Sequence, residues 1–376
     1  MAQDYALYVH WPFCVSKCPY CDFNSHVRES VDQPAWRDAL LTDMAHEAAR
    51  TGGGALGSIF FGGGTPSLMP PATIAAIIEG ASRHWAFAPN IEITMEANPN
   101  SAEAARFADV AAAGVNRVSI GLQALHDDAL RFLGRAHGAN EGLRAVEMAQ
   151  RLFDRVSFDL IYALPGQSEA DWEADLTRAL AVGTGHLSLY QLTIEPGTRF
   201  ETMVRKGDFI PADPDHGAAL FELTRNLTAA AGLPAYEVSN HARPGEESRH
   251  NLTYRRYGDY LGVGPGAHGR VLGSATRRHR KPENWMVALA AQGHGIEEEV
   301  PLPADERMTE ALMMGLRLAE GVDLRALGER LGAEAVVDRK AAARMQAQGL
   351  VRLEGERLTV TPAGMLLLDG ILGALL

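Results

Sequence analysis

Apolar, β-rich runs alternate with segments of helical period along the first half of the chain. The six β-rich runs cover residues 5–11, 58–63, 91–97, 117–123, 155–165 and 186–193. The helical segments cover residues 36–50, 73–84, 102–113 and 141–153. Strands that alternate with helices pair in parallel, so this pattern predicts an α/β fold. Six such units form either an open, partial (β/α)6 barrel of the TIM type or a doubly wound sheet, and periodicity alone does not choose between them.

The second half of the chain has a different pattern. Between about residues 200 and 300, segments rich in Pro, Gly and aromatic residues predict ordered loops over the barrel. From residue 304 onward, helices at 306–319 and 334–348, a helix-turn-helix pattern at 321–332 and a hairpin are typical of a winged-helix-like α+β domain. We therefore expect a barrel core at 1–235, a connecting region at 236–303 and a C-terminal domain at 304–376.

The charge balance argues against nucleic acid as a partner. The chain has 35 Lys+Arg and 47 Asp+Glu, a net charge of −12, which repels phosphate backbones. The C-terminal domain has 9 Lys+Arg and 11 Asp+Glu, so a structural or protein-contact role is favoured there over DNA binding. There is no apolar run of about 18 residues and no signal-peptide pattern, so we expect a cytoplasmic protein without an integral membrane segment.

The three cysteines of the chain, Cys14, Cys18 and Cys21, form a C-x3-C-x2-C pattern after the first predicted strand. A structural zinc ion needs four protein ligands, and a C-x2-C redox pair would leave Cys14 unexplained. A [4Fe–4S] cube normally takes four thiolates, so three of them leave one iron open to a small molecule. An iron–sulfur cluster with an open iron therefore explains the pattern best.

This pattern, with Tyr20 before the last cysteine, resembles the signature of the radical S-adenosylmethionine superfamily. The resemblance implies that the open iron chelates S-adenosylmethionine and that one electron, delivered by a donor, cleaves it to a 5′-deoxyadenosyl radical. It also implies a cofactor loop at GGGTP (residues 62–66), where glycine lets the backbone approach a ligand closely. The residues that match the family's cofactor contacts are Tyr8, Tyr20, Gly63, Gly64, Thr65, Glu96, Gln123, Arg135 and Asp159.

Within this superfamily the chain resembles the coproporphyrinogen-oxidase-like branch, which contains both an enzyme and heme carriers. The oxygen-independent coproporphyrinogen III oxidase decarboxylates two propionates of a porphyrinogen, whereas the heme chaperones bind heme and pass it to an acceptor protein. The oxidase continues its motif with a fourth cysteine, where this chain has Phe23. The oxidase also has a longer segment before the first cysteine than the thirteen residues found here.

His250 begins an HNLTY segment that matches the H-N-x-x-Y motif associated with heme binding in the chaperones. Imidazole is a standard axial ligand of heme iron. We therefore expect a heme chaperone that binds heme in part through His250 and has no coproporphyrinogen dehydrogenase activity. The oxidase is the alternative. A radical methylase acting on an unrelated substrate is a third hypothesis, which the bound ligand would decide.

Overall fold

The computed structural model describes residues 4–335 and 337–376, and a parallel sheet lies at its centre. The first eight strands are β1 (Asp4–Trp11), β2 (Phe13–Cys14), β3 (His26–Val27), β4 (Ala55–Gly63), β5 (Ala86–Ala97), β6 (Arg117–Gln123), β7 (Arg155–Tyr162) and β8 (His186–Gln191). Strands β1, β4, β5, β6, β7 and β8 pair in parallel in that order. The order of these six strands has no reversal, so they form a partial barrel and not a doubly wound sheet.

Helices on the outside connect the parallel strands. They are α1 (Gln33–Thr51), α2 (Pro71–His84), α3 (Ser101–Ala104), α4 (Phe107–Ala112), α5 (Asp127–Phe132), α6 (Ala139–Leu152) and α7 (Glu169–Ala181), with a 3-10 turn at Pro66–Leu68. Helix α1 begins after Asp32, whose side chain accepts a hydrogen bond from the backbone N–H of Ala35. The helical segment predicted at 102–113 forms two short helices rather than one, because the chain turns between α3 and α4. At that turn the Arg106 side chain donates to the carbonyls of Ser67 and Met69.

Alternating side chains give the barrel strands two different faces. In β1, Leu7, Val9 and Trp11 belong to the main apolar core, which packs against the outer helices. Tyr8 and His10 alternate with them and therefore lie on the opposite face, toward the barrel interior. Barrels of this type usually have their functional site at the carboxyl ends of the strands, and polar side chains of the interior face contribute to it.

The loops predicted between residues 200 and 300 are wrong: this region contains helices and five further strands among the described residues. They are α8 (Arg199–Lys206), α9 (Pro214–Ala230), β9 (Asn240–Ala242), α10 (Arg249–Arg255), β10 (Tyr260–Val263), β11 (His268–Val271), β12 (Ser274–Arg278), α11 (Pro282–Gln292) and β13 (Ile296–Pro301). Strand β10 pairs in parallel with β1, and β9 pairs antiparallel with β8. The prediction fails because these strands are only three to six residues long and are separated by turns that contain glycine, such as Gly264 and Gly273. Gly262 is needed for pairing, since a Cβ there would collide with the carbonyl oxygen of His268.

A buried ionic cluster joins this extension to the barrel. Arg278 on β12 donates to Asp43 at 2.6 Å and to Glu47 at 2.8 Å, both on α1, and all three side chains are buried. Trp285 on α11 stacks on Trp36, with ring centroids 5.1 Å apart. If the extension moved away from the barrel, these buried charges would lose their partners, which is strongly destabilising. The contacts therefore hold the extension in one position.

The C-terminal domain has a separate apolar core. Its elements are α12 (Ala304–Gly315), β14 (Val322–Asp323), α13 (Leu324–Leu331), α14 (Arg339–Ala347), β15 (Val351–Glu354), β16 (Arg357–Val360), α15 (Pro362–Met365) and α16 (Leu368–Leu375). The three strands form a sheet in the order β14-β16-β15. The predicted helix at 334–348 begins only at Arg339, after the Asp338 cap, and residue 336 lies outside the described part. Tyr257, next to α10, packs into this core.

Candidate functional site

A cavity of about 880 Å³ lies at the carboxyl ends of the barrel strands. One end is lined by the loop between β2 and β3, which contains the three cysteines, and the other end reaches α9 and the C-terminal domain. Of the residues proposed from the sequence, those lining this cavity are Cys14, Cys18, Cys21, Tyr20, Gly63, Gly64, Thr65, Glu96, Gln123, Arg135 and Asp159. Tyr8 and His250 are not among its lining residues.

The cysteine loop is held in place at several points. Strands β2 and β3 pair in parallel, with Phe13 opposite His26. The Asn24 carbonyl lies 2.9 Å from Nε2 of His10, and the Asn24 side-chain amide donates to the carbonyls of Pro265 and Arg280. Within the loop, a short turn is closed by Cys21 N, which donates to Cys18 O at 3.2 Å.

The three thiols each have a polar neighbour. Thr65 Oγ1 donates to Cys14 Sγ at 3.5 Å, Arg135 Nη1 donates to Cys18 Sγ at 3.4 Å, and Cys21 Sγ lies 3.9 Å from Ser25 Oγ. All three cysteines are free and half-buried, and burial raises the pKa values of Cys14 and Cys21. Within the described residues, no three Cys, His, Asp or Glu side chains converge closely enough to hold a single metal ion. Three thiols on one loop are the donor set that a [4Fe–4S] cluster with one open iron needs, because each thiolate occupies a separate corner of the cube.

The glycine loop after β4 packs so closely that side chains would not fit. Gly63 has φ +114°, and a Cβ there would lie 2.5 Å from the His10 ring. A Cβ on Gly64 would lie 2.7 Å from the Phe13 carbonyl oxygen. Because these residues lack side chains, the backbone of the loop reaches both the cavity and Glu96, whose Oε2 accepts from Gly63 N at 3.1 Å.

A hydrogen-bonded chain connects the cysteine loop to three strand ends. Arg135 donates to Asn98 Oδ1 at 2.5 Å and to Gly121 O at 2.9 Å, in addition to Cys18. Asn98 in turn donates to Thr65 Oγ1 at 3.2 Å. Asn98 was not predicted from the sequence, although it follows Glu96 by two residues at the same strand end. The available signal was a polar side chain at the carboxyl end of a parallel strand.

Two carboxyl groups face the cavity below the cysteine loop. Burial, and then the nearby Asp159 carboxylate, raise the pKa of Glu96 to about 8. Burial also raises the pKa of Asp159 to about 6, although hydrogen bonds from Ser188 and Ser119 oppose this shift. A cationic ligand between these groups would stabilise both ionised forms. The pair therefore suits a positively charged ligand.

Gln123, at the end of β6, is held in an unusual conformation. Its φ is +72°, in the left-handed region that disfavours residues with a Cβ. Its buried Oε1 has no hydrogen-bond partner among the described residues. Strain together with an unpaired acceptor in a cavity is typical of a ligand contact.

His250 lies in the barrel interior, outside the wall of the main cavity. It is on α10, and its Nδ1 lies 3.2 Å from Ser58 Oγ. Its ring is 4.9 Å from that of Phe60 and 6.2 Å from that of Tyr8, measured between centroids. Burial lowers the pKa of His250 to about 4, so the imidazole is neutral at pH 7. Ser58 rather than a residue of the HNLTY segment holds Nδ1, and no local pattern in the sequence indicates that pairing.

Comparisons with known proteins identify the family. The Radical SAM superfamily matches residues 8–179, and the HemN C-terminal domain matches residues 302–367. "Heme chaperone HemW" of Mycobacterium tuberculosis is 36% identical over 380 residues, covering 100% of this chain and 95% of that protein. "Heme chaperone HemW" of Escherichia coli is 41% identical, covering 84% of this chain and 83% of that protein. The chain belongs to the HemW-type radical S-adenosylmethionine proteins.

The chain is also similar to animal proteins. A bovine protein called "Radical S-adenosyl methionine domain-containing protein 1, mitochondrial" is 41% identical, covering 100% of this chain and 88% of that protein. The Escherichia coli coproporphyrinogen III oxidase HemN, described as a radical SAM enzyme, superposes with a TM-score of 0.83 at 22% identity. That superposition covers 99% of this chain and 90% of the oxidase, and it shows a shared fold.

The length and polarity of the helices test the prediction that the chain has no integral membrane segment. In the part of the chain that the structure describes, every helix is too short or too polar to cross a membrane.

Proposed function

We propose that this protein binds heme and delivers it to an acceptor protein, and that it also holds a [4Fe–4S] cluster and S-adenosylmethionine. The observation that carries the proposal is the end-to-end similarity to proteins named heme chaperone HemW. The cavity supports it, because one space of about 880 Å³ is lined by the three thiols and also by apolar side chains such as Phe221, Val238 and Leu366.

In this proposal Cys14, Cys18 and Cys21 hold three corners of the cluster. When bound, the cluster supplies the electron that cleaves S-adenosylmethionine, and it requires a donor to be reduced. Arg135 places a positive charge beside the Cys18 thiolate and so offsets negative charge at that corner.

The remaining cavity residues bind and orient S-adenosylmethionine. Glu96 and Asp159 supply negative charge for the sulfonium, and the Gly63–Gly64 backbone comes close to the ligand because neither residue has a side chain. The free Oε1 of Gln123 accepts a hydrogen bond from the ligand. Tyr20 and Thr65 line the same space. Tyr8 does not line the cavity and contributes indirectly, because its hydroxyl lies 2.9 Å from Nδ1 of His10.

His250 contributes to heme binding as part of α10. Its ring is neutral and its Nδ1 is held by Ser58, so Nε2 is the nitrogen left for a ligand. Three free cysteines suit a reducing compartment, and we place the protein in the cytoplasm, where an electron donor and a heme acceptor reach it.

One set of parallel assays tests this function. After anaerobic reconstitution, the same preparation is titrated with heme and assayed for S-adenosylmethionine cleavage and coproporphyrinogen decarboxylation. We expect a saturable Soret band and no decarboxylation. Turnover of coproporphyrinogen, or the absence of heme binding, would contradict the proposal.

A further inference from the structure

The segment around the cysteines presents large apolar side chains to solvent. Val15, Phe23 and Val27 are 72%, 60% and 49% exposed. Val15 follows Cys14 directly, Val27 lies opposite Cys14 in the β2–β3 pair, and Phe23 follows Cys21 by two positions. Exposed apolar side chains that are grouped on a surface are typical of contact sites, whereas single ones need no explanation. We call the surface formed by Val15, Phe23 and Val27 the loop face.

Two basic side chains border the loop face where it meets the strand extension. Arg280 and Lys281, just after β12, are exposed, and neither forms an ion pair among the described residues. The Arg280 carbonyl accepts a hydrogen bond from the Asn24 side chain of the cysteine loop at 2.9 Å, so this segment is fastened to the loop. Arg28, on the same side, pairs with Glu283 at 2.6 Å and therefore adds no net charge.

Two further basic side chains lie in the loop and on its other side. Lys17 is exposed, one position before Cys18. Arg199 is exposed at the start of α8, and the next residue, Phe200, donates its backbone N–H to the Pro19 carbonyl of the loop at 3.0 Å. Within the described part of the chain, Lys17 and Arg199 likewise form no ion pair. The loop face is therefore bordered by cations on both sides.

The loop face is locally positive on a negatively charged protein. Its four unpaired cations outnumber the two exposed carboxylates between residues 15 and 29, Asp22 and Glu29, whereas the whole chain has a net charge of −12. A local excess of positive charge attracts an acidic partner and orients it before contact. The apolar side chains at the centre then lose water on contact, and an apolar centre with a polar rim is the usual anatomy of a protein interface.

We propose that the loop face docks an acidic one-electron carrier protein that reduces the cluster. This inference rests on the proposed function, because it needs a cluster on Cys14, Cys18 and Cys21, and it identifies where the electron enters. Electron transfer slows steeply with distance, so a carrier has to dock close to the thiols. In this step the reduced carrier loses one electron, the cluster passes from the 2+ to the 1+ state, and no covalent bond forms or breaks.

Three variants test the loop face. Arg280→Glu/Lys281→Glu reverses two charges of its border, and Phe23→Ser removes an apolar contact without changing the charge. Arg144→Glu/Arg151→Glu is the matched control. It makes the same change in net charge on two exposed side chains of α6, on the outside of the barrel, which also form no ion pair among the described residues.

The probe is an acidic flavodoxin. Its oxidised form is titrated into each full-length variant by calorimetry at low and high salt. Its fully reduced form is mixed anaerobically with each reconstituted variant, and bleaching of the visible absorption gives the second-order rate of cluster reduction. Photoreduced deazaflavin, a small reductant that needs no protein interface, gives a reference rate. Iron analysis and light scattering report the cluster content and the oligomeric state of each variant.

We expect flavodoxin to bind Arg280→Glu/Lys281→Glu about tenfold more weakly at low salt and to reduce it about tenfold more slowly. This difference should shrink at high salt, because salt screens exposed charges. Phe23→Ser should be impaired at both salt concentrations, since its lost contact is apolar. The α6 variant should behave as the wild type does, and deazaflavin should reduce all four proteins at the same rate.

Several results would overturn the inference. They are a wild type that binds no flavodoxin, loop-face variants that keep the wild-type affinity and rate with an intact cluster, and an α6 variant that is impaired equally. A wild-type dimer that the loop-face substitutions dissociate would assign the face to a second copy of the chain. A wild type that reconstitutes no cluster would instead contradict the proposed function, and the calorimetric titration would still test the face.

Discussion

Nη1 of Arg135 lies 3.4 Å from Sγ of Cys18, although 117 positions separate the two residues. The contact depends on Gly134, which has φ +68° and packs against Pro19 so closely that a Cβ would lie 2.5 Å from the proline ring. Arg135 is therefore brought to the thiol by a residue that must lack a side chain. The pairing places a fixed positive charge beside one corner of the proposed cluster.

Removing this charge should make the cluster harder to reduce. For Arg135→Leu we expect a reduction potential more negative by roughly 60 mV, the equivalent of about 1.4 kcal/mol for one electron. An EPR-monitored redox titration measures it. Arg131→Leu is the control, because Arg131 is exposed on α5 and pairs with Asp128. Equal potentials in wild type and Arg135→Leu would show that the contact does not tune the cluster.

Each cysteine should be required for the cluster. We expect Cys14→Ala, Cys18→Ala and Cys21→Ala to lose nearly all bound iron and the visible absorption, because two thiolates do not hold a cube with an open corner. Ser25→Ala, which removes the hydroxyl 3.9 Å from Cys21 Sγ, should retain the cluster. Iron analysis after anaerobic reconstitution tests both statements. A cluster that survives Cys18→Ala would contradict the assignment.

The binding of S-adenosylmethionine should strengthen as the pH rises from 6 to 9. The free protein holds a proton on Glu96 up to about pH 8, and a sulfonium favours the ionised carboxylate. Binding below pH 8 should therefore release protons, and the affinity should level off above pH 8. Calorimetry in two buffers of different ionisation enthalpy counts the protons. Glu96→Gln should bind more weakly and lose most of this dependence; an unchanged slope in that variant would assign the effect to another group.

Replacing Gln123 should change stability and binding in opposite directions. Gln123→Gly relieves the left-handed backbone at φ +72°, so we expect the ligand-free protein to gain about 1 kcal/mol in the free energy of unfolding. The same variant loses the free Oε1 and should bind S-adenosylmethionine more weakly. Urea unfolding and ligand titration give the two quantities. A Gln123→Ala variant should lose affinity without gaining stability, since alanine keeps the strain.

The contribution of His250 can be separated from the cluster. We expect His250→Ala to weaken heme binding by about 10–100-fold while the iron content stays unchanged. His241→Ala is the control, because His241 is also buried, with its Nδ1 2.9 Å from Thr228 Oγ1 on another side of the barrel. The Soret band and iron analysis provide the two measurements. Wild-type heme affinity in a folded His250→Ala variant would mean that this histidine only stabilises α10.

Features that depend on near neighbours in the chain follow from the amino-acid sequence alone. Cys14, Cys18 and Cys21 lie within eight positions, and the rhythm of strands and helices repeats every few tens of residues. Both patterns are local, so the amino-acid sequence is enough to predict the parallel strands, the cysteine loop and the glycine loop.

Contacts between distant residues depend on how the elements pack. Asn98 joins Thr65 to Arg135, and Ser58 holds His250, through pairings that span 33 to 192 positions and have no periodic signal. The strands between residues 240 and 301 have only three to six residues each, so their pairing depends on partners far along the chain and not on a local pattern. The main cavity exists for the same reason. Residues of β8, α9 and the C-terminal domain line part of it, and they enclose one space only after all three have packed together.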